Sequence, residues 1–201
     1  MIVGENNRVV IEVPTGCHMR RIILFGMLIL LLAAVGCESK EKGGSKMSLQ
    51  IFSAFPQNGK IPSVYTCEGA DVNPSLKLED LSEKAVSIAI IVDDPDAPIG
   101  TFVHWVAWNI PPVKEIPEGL PKVEKASFPL NIVQGRNDFG KIGYNGPCPP
   151  KGHGVHHYHF KIYVLDTKLD LKPGARKRDL EKAMKGHIIQ QGELVGTYKR
   201  R

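Results

Sequence analysis

Ala85-Val86-Ser87-Ile88-Ala89-Ile90-Ile91-Val92-Asp93-Asp94-Pro95-Asp96-Ala97-Pro98 is the stretch from which the fold is read. Its first eight residues are rich in β-branched side chains and nearly free of polar groups. That is the pattern of a strand covered on both faces. The run then stops on three acids and two prolines. Proline fixes φ and removes a backbone donor, so this turn is rigid and aims its carboxylates. One of its X-Pro bonds is a candidate for the cis form. The competing reading is an acidic, solvated surface turn.

Two further runs read as strands. Phe102-Val103-His104-Trp105-Val106-Ala107-Trp108-Asn109-Ile110 is aromatic and β-branched and stops at Pro111-Pro112, and Tyr158-His159-Phe160-Lys161-Ile162-Tyr163-Val164-Leu165 ends before Asp166. Long connections rich in proline and glycine, 111–121 and 135–154, separate these runs. Loops of that length in a compact domain are commonly functional. The spacing of Leu180, Ala183, Met184, His187 and Ile188 predicts one helix over 179–190, with Gly192 as its stop. Leu194-Val195-Gly196-Thr197-Tyr198 reads as a short last strand. The elements describe a mainly β fold, an antiparallel sandwich or barrel with a C-terminal helix.

Composition agrees with that class. Gly 20 and Pro 15 in 201 residues favour many turns and few long helices. With 42% hydrophobic and 23% charged residues, fibrous and low-complexity chains are excluded. The net charge is +5, but Lys and Arg are scattered and form no stripe interleaved with aromatics. A nucleic-acid partner is therefore not expected.

The N-terminal region reads as an address. Met19-Arg20-Arg21 precedes an uncharged apolar run that ends in Ala33-Ala34-Val35-Gly36-Cys37. A positive start, an apolar middle and small residues before a break point describe a secretory signal. Residues 22–36 number 15, short of the roughly 20 that span a bilayer. Small residues directly before a cysteine resemble the bacterial lipobox. Residues 19–36 are thus read as a lipoprotein-type signal peptide, and Cys37 as the acylated first residue of an exported, membrane-anchored prokaryotic lipoprotein. The alternative is an uncleaved anchor. Residues 1–18, with Glu5 and Glu12, do not suit a position ahead of such a signal, so translation is expected to start at Met19. Residues 37–46 read as a flexible tether and 47–201 as the folded domain. Cys17 lies in the doubtful leader, which leaves Cys67 and Cys148 in the domain. They are expected either as a disulfide or as two buried free thiols.

Two segments carry chemistry. His104 stands in an otherwise apolar strand, in phase with Phe102, Val106 and Trp108. A buried imidazole needs a partner, and an aspartate of the neighbouring turn is the expected one. The second segment is Gly143-Tyr144-Asn145-Gly146-Pro147-Cys148-Pro149-Pro150-Lys151-Gly152-His153-Gly154-Val155-His156-His157-Tyr158-His159. Its prolines hold the loop stiff, and its glycines let a ligand approach main-chain N–H groups that can cradle an anion. Strand alternation puts His156 and Tyr158 in phase with Phe160, Ile162 and Val164, and sends His157 and His159 to the other face. One metal ion cannot collect all four histidines, so neither a metal nor another cofactor is expected. The Gly-x-Ser-x-Gly, His-Glu-x-x-His, Walker and Gly-x-Gly-x-x-Gly signatures are missing, which argues against an enzyme.

Asp94-Pro95-Asp96-Ala97-Pro98, His104 and the run from Gly146 to Tyr158 together resemble the phosphatidylethanolamine-binding protein family. Phe102-Val103-His104-Trp105, the run from Gly140 to Tyr144 and Gly196-Thr197-Tyr198 resemble its prokaryotic, Raf-kinase-inhibitor-like branch. The resemblance spans about 49–200 and implies two antiparallel sheets packed as a sandwich with a shallow pocket at one end. By motif, the pocket would use Asp94, Asp96, His104, the backbone of Cys148, Pro149 and Pro150, His156 and Tyr158. The implied ligands are phosphate-like anions and phosphorylethanolamine-type head groups. Nearby carboxylates would keep His104 and His156 cationic towards the phosphate, while a free carboxylate meets the ammonium. The implied function is a binding or regulatory module. The alternative is a protein-interaction inhibitor of a serine protease or kinase, with 114–122 as the loop that enters the target. A hydrolase using His104 and His156 as acid and base would lack a nucleophile.

Overall fold

The computed structural model describes residues 48–200. The expected leader, signal peptide, lipidated Cys37 and tether lie outside the described residues. Strand β4 (Ser87–Asp94) is buried along its whole length, as an apolar run without alternation requires. It is flanked antiparallel by β5 (Phe102–Ile110) and β9 (His156–Leu165). Outside β9 come β10 (Ile188–Tyr198) and, parallel to it, β2 (Gly59–Lys60). Outside β5 come β8 (Ile132–Gln134) and β7 (Lys125–Ala126), which complete a seven-stranded sheet. A second, three-stranded antiparallel sheet has the order β1 (Gln50–Phe52), β3 (Leu76–Glu79), β6 (Glu115–Ile116). Neither sheet closes into a barrel, so the sandwich is the outcome of the two sequence alternatives.

Alternation along β4 builds both layers. Ile88, Ile90 and Val92, with Phe160 and Ile162 of β9, pack on Ile51, Leu76, Leu78 and Ile116 of the small sheet. Ala89 and Ile91 face the other way and pack with Trp108, Leu180 and Met184. The last two belong to helix α1 (Lys177–Met184). Asp93 points to the helix side and is 1% exposed. Lys161 Nζ at 2.8 Å and Lys177 Nζ at 2.5 Å offset its buried charge. Lys177 opens α1, so this ion pair also fastens the helix to the sheet.

The helix is shorter than its periodicity predicts. It ends at Met184, and Gly186 adopts φ +87°, a left-handed conformation that costs glycine little. The following residues pair with β9 from Ile188↔Leu165 to Tyr198↔His156. That pairing covers an edge of β9 that would otherwise be left open, and the tertiary demand overrides the local spacing. Gly192, expected as a helix stop, sits inside β10. A Cβ there would stand 2.2 Å from the Leu49 carbonyl oxygen, so the glycine permits close approach of the chain entering β1. Among the described residues the cis peptide bond is Phe128–Pro129, not a bond of the acidic turn.

Candidate functional site

The C-terminal end of β4 and the N-terminal ends of β5 and β9 meet at one edge of the large sheet. There a cleft of about 330 Å³ is lined by Asp94, Ala97, Pro98, Ile99, Phe102, His104, Phe139, Cys148, Pro149, Pro150, His156 and Tyr158. It lies at the small end of the roughly 300–1,000 Å³ typical of ligand pockets. Asp94 reaches it by alternation from Val92, and His156 and Tyr158 by alternation from Phe160. His104 arrives differently. Val92 pairs with Trp105 and Asp93 with Val103, so His104 is an extra residue in β5. This bulge resets the alternation. His104 stays with Phe102 on the cleft side, whereas Val106 and Trp108, expected beside it, turn to the helix layer.

A buried carboxylate organises the polar side of the cleft. Asp94 is 3% exposed. Its Oδ2 accepts from His156 Nδ1 at 2.7 Å and its Oδ1 from the Asp96 N–H at 2.8 Å. The carboxylate therefore fixes a hydrogen on His156 Nδ1 and leaves Nε2 for other partners. That nitrogen lies 2.7 Å from His153 Nδ1. Tyr158 is fully buried, and its hydroxyl lacks a hydrogen bond of normal length and angle. Burial, followed by the charge of the neighbouring Asp94 and the pull of its carboxylate on the hydroxyl hydrogen, pushes its pKa well above the usual phenol value. The hydroxyl thus stays protonated and available as a donor.

His104 departs from expectation in partner and in charge. Its Nδ1 donates to the Asn145 carbonyl at 2.7 Å, not to an aspartate, and its own carbonyl accepts from the Asn145 N–H at 3.0 Å. Burial lowers its pKa, against the opposing pull of that carbonyl and of the Asp94 charge. Its ring lies edge-on to Phe102, Phe139 and Tyr158 at 5.2–5.4 Å. His104 is therefore a neutral imidazole with hydrogen on Nδ1 and a bare Nε2. It accepts hydrogen bonds and is not a cation.

Asp96 is not brought to the cleft. Its carboxylate faces outward and accepts from the His157 N–H at 2.8 Å and from His157 Nδ1 at 2.7 Å, an arrangement that lowers its pKa. His159 pairs with Glu193 at 2.8 Å. His157 and His159 thus lie outside the cleft on separate carboxylates, as alternation requires. The sequence reading missed the apolar rim formed by Ile99, 87% exposed, with Phe102 and Phe139 stacked edge-on at 4.8 Å. An isoleucine directly after a rigid acidic turn was its available signal. His153 was visible within Gly-x-Gly, but its contact with His156 depends on how the loop folds back.

The opposite wall is clamped. Cys67 and Cys148 form a disulfide with Cα atoms 5.4 Å apart, which resolves the choice between a bond and free thiols. The bond closes a sequence separation of 81 residues, worth about 4–5 kcal/mol on a chain-entropy account. Asp71 adds bonds from Gly146 N and Asn145 Nδ2, each at 2.7 Å. A Cβ on Gly146 would lie 1.9 Å from the Tyr65 carbonyl oxygen, so only glycine allows this approach. The segment 114–122 is tied down as well. Ile116 is buried in β6, Pro117 O accepts from Asn73 Nδ2, and the Leu120 N–H donates to Asn73 Oδ1.

A family model described as phosphatidylethanolamine-binding protein matches residues 52–199. The chain belongs to the phosphatidylethanolamine-binding protein family. It is 61% identical over 183 residues to a UPF0098 protein of Pyrococcus horikoshii, covering 91% of each chain. Among solved structures it resembles a putative phosphatidylethanolamine-binding protein homolog of Chlamydia trachomatis at 38% identity and TM-score 0.69. An E. coli protein described as a new member of the mammalian family is similar at 31% identity and TM-score 0.69. Each match covers 77% of this chain and 99% of the relative. The family fold places the chain among binding or regulatory proteins.

The state of His104 in this member of the family has a consequence for stability. Its folded pKa lies below the unfolded value of about 6.5. The unfolded chain therefore takes up the proton first, and stability is lost as pH falls from about 6.5 towards the lower folded value. The drop in urea midpoint between pH 7.5 and pH 5.5 is expected to be smaller in His104→Gln than in the wild type. Equal drops would contradict a buried neutral His104.

Proposed function

We propose that the cleft binds a small phosphate-bearing group, such as a phosphorylethanolamine-type head group, and does not turn it over. The observation that carries this reading is the buried, protonated and unpaired Tyr158 hydroxyl beside His156. Buried donors are nearly always satisfied, so an unmatched one on a cleft wall calls for an acceptor from outside. Tyr158 Oη offers a donor to a phosphate oxygen, and His156 Nε2, with Nδ1–H held by Asp94, adds a second when the imidazole carries both hydrogens; hydrogen bonds to an anion are the strong kind. His104 takes the complementary role, with Nε2 accepting from an ammonium or hydroxyl of the ligand, and the Asp94 carboxylate favours a cation nearby. Ile99, Phe102 and Phe139 cover the carbon skeleton. The lining contains no Ser, Thr or Lys, and Cys148 is held in the disulfide, which supports binding without turnover.

Export and anchoring through an acylated Cys37 complete the reading. The basic start at Met19, the apolar run and the small residues before Cys37 support it, and the disulfide suits an oxidising compartment. Two or more acyl chains would hold the domain stably at a membrane, close to lipid head groups.

Two experiments test these proposals. In calorimetry with phosphorylethanolamine, His156→Ala is expected to lose roughly 1.5–3 kcal/mol of binding and Tyr158→Phe about 1 kcal/mol. His159→Ala should change nothing; equal losses for His156→Ala and His159→Ala would put the site on the wrong face. In a bacterium expressing the chain from Met19, the wild type is expected in the membrane fraction with an acylated Cys37. Cys37→Ala should leave the precursor unprocessed, and an unmodified soluble wild type would refute the anchor.

A further inference from the structure

The donor that an anion needs from His156 is already taken. His156 is 1% exposed and its Nδ1 is committed to Asp94, so Nε2 is its remaining hydrogen-bonding atom. That atom lies 2.7 Å from Nδ1 of His153, whose ring meets the His156 ring at 61° with centroids 4.9 Å apart. His153 is exposed and does not line the cleft. It stands between Gly152 and Gly154, at φ +81° and +103°, where an added Cβ would meet nothing within 4 Å. These glycines serve the backbone conformation, the His153 N–H donates to the Pro150 carbonyl at 3.2 Å, and the exposed side chain has solvent to turn into.

We propose that His153 is an affinity-determining residue of the cleft, an internal partner that occupies His156 Nε2 until a ligand's phosphate group displaces it. The proposal rests on the phosphate-binding reading above and adds the competitor which that reading requires. A site whose binding-competent state is only partly populated binds more weakly by that fraction. Two imidazole nitrogens in contact share one hydrogen, which one gives and the other accepts. With His156 Nδ1 given to Asp94, a phosphate oxygen can replace His153 as the acceptor of a hydrogen on Nε2.

The groups around this pair leave His153 as the contact of His156 Nε2. Asp94 of β4 holds His156 Nδ1, and Asp96 in the following turn is engaged by His157. Tyr158 of β9 lies nearly parallel to the His156 ring at 6.4 Å, and its hydroxyl stays protonated. His104 of β5 is held neutral. Tyr198, opposite His156 on β10, is turned to Glu68, and Lys151 precedes the turn.

Calorimetry on wild type and His153→Ala tests this with glycerophosphorylethanolamine, a phosphodiester whose phosphate takes up no proton across the histidine range. His153→Ala is expected to bind roughly two- to tenfold more tightly than wild type at pH 7.5, the effect of removing one competing hydrogen bond. Equal or weaker binding by His153→Ala would overturn the proposal. If wild type fails to bind the probe, or His156→Ala binds as well as wild type, the phosphate-binding reading itself fails and the inference falls with it.

Discussion

The hydrogen bond between the Asp94 carboxylate and His156 Nδ1, 2.7 Å long and almost wholly buried, is the constraint from which the cleft takes its order. A buried carboxylate is costly unless its lone pairs are met. The Asp96 N–H and His156 meet them, the first from the rigid turn and the second from β9. Antiparallel pairing of β4 with β9 brings together two residues 62 positions apart in sequence. Once Asp94 has oriented the imidazole, its other nitrogen becomes the handle of the site. The proton on Tyr158 is kept by the same burial and the same negative charge. One carboxylate thus orients the imidazole and helps to keep the phenol protonated.

His104 supplies the contrasting function because the chain deviates from regular pairing at that point. The β5 bulge aims it into the cleft, and the Asn145 carbonyl selects its tautomer. Aromatic neighbours exclude water and keep it neutral. The site therefore offers a donor from Tyr158, an acceptor from His104 and an oriented Nε2 on His156, a division suited to a ligand with phosphate at one end and N–H or O–H groups at the other. The disulfide and the Asp71 hydrogen bonds hold the 145–150 wall in place, which preserves that division without demanding movement of the sheet.

Features encoded by strand alternation were legible in the sequence. The fully covered β4, the inward His156 and Tyr158 and the outward His157 and His159 all follow from a period of two. Features set by tertiary contacts were not. The extra residue at His104 shows only against its partner strand, so Val106 and Trp108 could not be separated from it by counting. The periodicity at 187–188 continued a helix, but an open edge of β9 claimed those residues for β10. Asp94 and Asp96 sit in one turn, yet the first faces the cleft and the second faces His157, because the Asp96 N–H itself is bonded to Asp94. The charge of His104 was misjudged for a related reason. A carboxylate nearby raises an imidazole pKa, but here that carboxylate is bonded to another histidine and burial prevails.

The most direct test of the cleft as a phosphate site is a crystal structure of the protein with phosphorylethanolamine bound. The account predicts a phosphate oxygen within about 2.7–2.9 Å of His156 Nε2 and a second near Tyr158 Oη, with the Asp94–His156 bond intact and His153 moved off Nε2. Phosphate bound elsewhere, with His156 Nε2 still facing His153, would contradict it.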